Sequence, residues 1–183
     1  TEDCTSTNCI VFGAFASGNY KFNNHAHVVS GNKNAICLTR TAVNAYFEGD
    51  GVWENPNGYG IWKAYATGDL KIYGGTFIAQ THAVYAEKGV IEIYGGEFHA
   101  TEYKGIEAGT GNPHSALNIK NSDREFSDIV VYGGKFYGFD PANNDSEPNP
   151  SEEWLASHPN GFVAEGCESV EIEPGVWQVR VIE

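Results

Sequence analysis

Apolar and polar residues alternate through Leu70-Lys71-Ile72, break at Tyr73-Gly74-Gly75, and alternate again through Thr76-Phe77-Ile78-Ala79. The same ten-residue pattern recurs as Ile91 to Ala100 and as Ile129 to Gly138. Period-two alternation predicts half-buried strands, with Leu70, Ile72, Phe77 and Ala79 on one side. The Gly pair predicts a sharp corner, because glycine adopts the positive φ that other residues avoid. Strand, corner and strand within ten residues leave no room for a crossover helix.

Repetition of such a unit predicts an architecture stacked from equivalent coils. Gly74 and Gly95 stand twenty-one positions apart, about one turn of a parallel β-helix with three short strands per turn. His82-Ala83-Val84-Tyr85-Ala86 supplies the third strand of that turn. Gly95 to Gly133 is thirty-eight positions, which fits either one coil with a long insertion or nearly two coils. In that gap, 104–109 reads as an extra strand. Fainter copies appear upstream at 44–53 and 60–68. Downstream, 162–166 and 170–177 read as a further coil with Pro174-Gly175 replacing the Gly pair. The expected fold is therefore an all-β, right-handed, single-stranded parallel β-helix of five to seven coils over residues 28–183. Residues 1–27 read as an N-terminal cap or docking segment, and Val176–Ile182 as a terminal coil or C-terminal cap. Residues 139–161 break the pattern as an inserted loop. Within it, Ser151 as N-cap and acids in the first turn predict a short helix that buries Trp154 and Leu155.

Equivalent positions in such a stack lie about 4.8 Å apart, so columns of like residues matter more than motifs. Ile72, Ile93 and Val131 form one inward column and Phe77, Phe98 and Phe136 another. Outward lie Tyr73, Tyr94 and Tyr132, then Thr76, Glu97 and Lys135, then Ile78, His99 and Tyr137. Stacked aromatics of this kind stabilise a sheet, form an oligomer seam or receive a glycan. The candidate contact residues are Tyr73, Tyr94, Tyr132, His99 and Tyr137, with Trp154 on the insertion.

Charge narrows the classes. Asp and Glu number 24 against 11 Lys and Arg, a formal charge of −13, which disfavours nucleic acid and anionic membrane surfaces. No stretch is long and apolar enough to span a bilayer. Of four cysteines, Cys4 and Cys9 are close enough for a local disulfide or stand as free thiols, while Cys37 and Cys167 read as buried hydrophobes. No zinc spacing, cofactor motif or EF-hand loop is present. Asp140 with Asn143, Asn144 and Asp145 could hold calcium, though their spacing is not that of an EF-hand loop. Asp123, Arg124, Glu125 and Asp128 are the residues a polysaccharide-cleaving β-helix would use, but they share one irregular loop without matching acids on the repeated strands. His82 and His114 read as corner residues. No catalytic residue is assigned.

The Tyr-Gly-Gly-x-Phe repeats, with Gly138-Phe139-Asp140-Pro141, Gly161 to Gly166 and Val170 to Trp177, resemble β-helical appendage proteins of bacteriophages, especially those of gut bacteria. The resemblance spans roughly residues 60–180. It implies a trimeric or otherwise oligomeric fibre, tail or capsid-decoration component, on a virion or cell surface, that touches a host glycan or another virion protein. The alternatives are a bacterial surface adhesin and a carbohydrate-active β-helix enzyme.

Overall fold

The computed structural model describes residues 8–12, 17–31, 34–39, 42–64, 67–101, 115–120, 126–143 and 152–183. It is a parallel β-solenoid. Three sheets run its length, and each successive rung adds one strand to each. The first sheet stacks β1 (Asn8–Phe12), β4 (Asn34–Thr39), β7 (Tyr59–Ala64), β10 (His82–Ala86) and β13 (Ser115–Ile119). The second stacks β2 (Ser17–Asn23), β5 (Ala42–Glu48), β8 (Leu70–Ile72), β11 (Gly89–Ile93) and β14 (Ser127–Val131). The third stacks β3 (His27–Val29), β6 (Val52–Asn55), β9 (Thr76–Ala79), β12 (Glu97–Ala100) and β15 (Gly134–Tyr137).

The register is the one the repeat predicts. Phe98 lies opposite Phe77 and Phe136, and Ile93 opposite Ile72 and Val131. All six are fully buried. The three phenylalanines stack with ring centroids 5.4 Å and 5.0 Å apart and planes 6° and 12° from parallel. Val28 and Trp53 extend this column downward, and Trp177 extends it upward.

The two corner glycines answer different demands. A Cβ on Gly95 would stand 2.6 Å from the Tyr73 carbonyl oxygen of the rung below, so the first position must be bare for the rungs to approach. Gly96 holds φ at 105°, in the region L side chains avoid. The pattern recurs because rung spacing and corner shape recur.

The structure decides between two sequence readings at one point and changes three others. The thirty-eight-residue gap is one coil with insertions: β10 pairs directly with β13 and β12 with β15. The first-sheet strand of that coil is Ser115–Ile119, whereas 104–109 lies outside the described residues. Residues 1–27, expected as a cap or docking segment, contribute β1 and β2 to the first rung, in parallel register with β4 and β5. A boundary at residue 27 would fall inside β3.

The downstream copy is not a coil. β16 (Cys167–Glu173) and β17 (Val176–Val181) form an antiparallel hairpin, and β17 pairs antiparallel with β15. Pro174-Gly175, with Gly175 at φ 76°, reverses the chain where Gly-Gly only bends it. Before the hairpin, Phe162 and Ala164 bracket Val131 through backbone hydrogen bonds of 2.8 Å and 2.9 Å, a fragment of one more rung. The short helix α1 (Glu152–Ser157) forms with acids in its first turn, but Leu155 is 46% exposed rather than buried. The Trp154 side chain lies outside the described residues.

Candidate functional site

The outward columns meet at the glycine corner. In each of three rungs the tyrosine leaves the second sheet one residue before the Gly pair, so the three rings share one line. Tyr73 and Tyr94 have centroids 5.1 Å apart with planes 11° from parallel; Tyr94 and Tyr132 are 4.8 Å apart and 5° from parallel. Tyr73 is 45% and Tyr94 39% exposed, while Tyr132 is half-buried against the core. Rings this close are at offset-stacking contact. No third ring fits between them, so the ladder offers edges and hydroxyls to a partner rather than open faces.

A charged pair steadies the ladder. Lys71 and Glu92, cross-rung neighbours in register, are 2.6 Å apart. Tyr94 donates its hydroxyl proton to Glu92 Oε1 at 3.0 Å. The Lys71 contact holds the Glu92 carboxyl below its ordinary range and raises the Lys71 ammonium. Partial burial, then the bond to Glu92, raises the Tyr94 phenol. At neutral pH this leaves a neutral hydroxyl above an ion pair.

Across the corner, His99 and Tyr137, neighbours in one column and in register on adjacent rungs, stack at 3.8 Å. Desolvation lowers the His99 imidazole. Tyr137 donates to Glu97 Oε2 at 3.2 Å, and Lys135 stands 3.8 Å from Glu97 Oε1. Glu97 is thus the shared acceptor of its neighbours. At the glycine corner, bordered by Glu97 and Lys135, lies an open groove of about 460 Å³. Its floor is the backbone of Gly49, Gly74, Gly75, Gly96 and Gly134; its rim carries Asp50, Thr76, Glu97, Lys135 and Gln178. Asp50 and Gln178 were invisible to repeat reading. Asp50 belongs to a degraded corner, and Gln178 reaches Lys135 only through antiparallel pairing.

Among the described residues, those considered for catalysis, Asp128, Asp140 and His82, each have their own separate contacts. Asp123, Arg124, Glu125 and His114 lie outside the described residues. Asp128 sits 3.5 Å from His158 Nε2, and burial raises its carboxyl. Asp140 accepts from Ala142 N at 3.0 Å and from Ser169 Oγ at 2.7 Å, which commits it to shaping a turn. Asn144 and Asp145 lie outside the described residues. His82 is buried, stacks at 5.5 Å on Tyr59, and lies 3.1 Å from Asn118 Nδ2. Cys37 and Cys167 are free and buried, as their neighbours suggest. Burial pushes the Cys37 thiol up to about 11, which makes it a poor nucleophile. Cys4 and the Cys9 side chain lie outside the described residues. No group of three or more His, Cys, Asp or Glu is placed to hold a metal among the described residues, and no described helix is long and apolar enough to cross a membrane.

Comparison with family models, with curated proteins and with solved structures found no match.

Proposed function

We propose that this chain is a non-catalytic structural and adhesive module of a virion or cell surface, of the bacteriophage-appendage kind. Its tyrosine face is the contact surface for a host-surface glycan or a neighbouring surface protein. The observation that carries the reading is the half-exposed stack of Tyr73, Tyr94 and Tyr132, held on three rungs of a rigid scaffold. A stabilising role alone is already served inside by the phenylalanine column. The outer ladder leaves the Tyr73 and Tyr94 rings partly exposed, the amphipathic surface that protein and sugar interfaces favour. The likeness of the repeats to phage appendage proteins supports the setting. A carbohydrate-active enzyme is the competing reading, and its described candidates, Asp128 and Asp140, are each engaged in structural contacts.

The test immobilises the chain and measures retention of a panel of gut bacterial cells. The variant with Tyr73, Tyr94 and Tyr132 all changed to Ala should lose retention at least tenfold while keeping its circular dichroism. Unchanged retention would overturn the reading. Release of reducing ends or unsaturated sugars from polysaccharides, with or without calcium, would replace it with the enzymatic one.

A further inference from the structure

We infer that the glycine-corner groove is a binding site for a neutral, hydroxyl-rich linear glycan lying parallel to the solenoid axis. The inference rests on the adhesive reading above and deepens it, since it names a ligand class and a site next to the tyrosine ladder.

The groove crosses four rungs, from Gly49 to Gly134, a length of about 14 Å from three strand spacings. Its volume of about 460 Å³ falls within the ~300–1,000 Å³ range of small-ligand sites. The bare floor lets a ligand approach the backbone closely along the whole length, because no side chain rises between rungs. That suits a thin polymer and offers no deep pocket.

The rim decides the chemistry. Asp50 and Glu97 are acceptors, Lys135 is a donor, and Thr76 and Gln178 are both. Each hydroxyl of a sugar likewise donates and accepts, so a rim mixing the two roles matches it. Two of the acceptors are held in place. Asp50 lies 2.6 Å from His25 Nδ1, a contact that holds its carboxyl below the ordinary range, and Glu97 is fixed by Tyr137 and Lys135. Asp50 is therefore an ionised acceptor at neutral pH.

Other ligands fit less well. A polyanion would meet two carboxylates and one lysine, on a chain of formal charge −13. A peptide strand would need an open sheet edge, yet the corner amides of Thr76, Glu97 and Lys135 already donate to the rung below at 2.9 Å each. A peptide side chain would also find no apolar anchor on this rim.

The test is isothermal titration of the intact chain with maltohexaose, cellohexaose, mannohexaose and tetra-N-acetylchitotetraose, with hexagalacturonate as the acidic control. At least one neutral oligosaccharide should bind saturably and hexagalacturonate should not. Glu97→Ala and Gln178→Ala, with circular dichroism unchanged, should each weaken binding roughly tenfold, the loss of one good hydrogen bond to a sugar. Glu152→Gln, on α1 far from the groove in the chain, should leave it unchanged. No saturable binding of any neutral sugar, tighter binding of hexagalacturonate, or binding indifferent to both groove variants would overturn the inference. If cells are retained through the tyrosines while no sugar binds, the groove proposal fails and the adhesive reading stands.

Discussion

The phenylalanine and tyrosine columns make an informative pair. They lie a few residues apart in the same repeat, stack at nearly the same spacing, and are equally parallel. One is fully buried, whereas two of the three rings of the other are 45% and 39% exposed. Stacking geometry is therefore set by the rung, and burial by the side of the strand. The comparison gives the inner column the larger share of stability and leaves the outer one free for the proposed contact role.

The largest expected effect tests the inner side. Phe98→Ala removes the middle ring of three and leaves a void that Phe77 and Phe136 cannot close without shifting two rungs. It should lower stability by about 3–5 kcal/mol in urea unfolding. A loss near that of a surface substitution would break the comparison.

A second measurement concerns an inner column that is not apolar. Lys63 is fully buried, in register between Leu38 and Ala86, and donates to the Lys88 carbonyl at 2.7 Å. Desolvation lowers its ammonium to about 8, against a smaller opposing pull from Asp69. Between about pH 8 and the ordinary 10.5 the folded chain has released this proton and the unfolded chain has not. The unfolded state then binds more protons, so this group makes stability rise with pH across that window, by on the order of 2–3 kcal/mol. Urea midpoints at pH 7, 8, 9 and 10 should show that rise relative to Lys63→Met, which removes it. Parallel profiles for the two proteins would sink the assignment.

The smallest effect tests the outer side. Tyr94→Ala should cost less than about 1 kcal/mol, since the ring is 39% exposed and what is lost is stacking on two neighbours and an exposed bond to Glu92. A cost near that of Phe98→Ala would make the tyrosine ladder a structural column and remove the reason to treat it as a contact face.

The legible part of the fold was the part that repeats. Tyr-Gly-Gly-x-Phe contains both the corner and the inward ring, so it placed Phe98 over Phe77 and His99 beside Tyr137 without coordinates. Where a strand lacks the Gly pair the signal fades. Ser115–Ile119 is a short apolar run next to a long insertion, and its neighbour 104–109 looked equally strand-like. The first rung carries no such corner, and β2 is almost wholly exposed, so it reads as a cap. Pro174-Gly175 resembled a bend at the level of residue type, yet proline presets a tight turn that reverses direction. The groove was half visible. Its Thr76, Glu97 and Lys135 column follows from the repeat, but Asp50 and Gln178 join it only through register across rungs and through the reversed final strand.

Between Ala100 and Ser115 the chain inserts more than a dozen residues, and the rungs on either side still pair Glu97 with Lys135 and Phe98 with Phe136. A junction that accepts added length without disturbing the ladder is a natural graft point. Foreign sequence exchanged there would be displayed on a frame whose alignment does not depend on it, so variants of this segment can diversify while the stack beneath them stays the same.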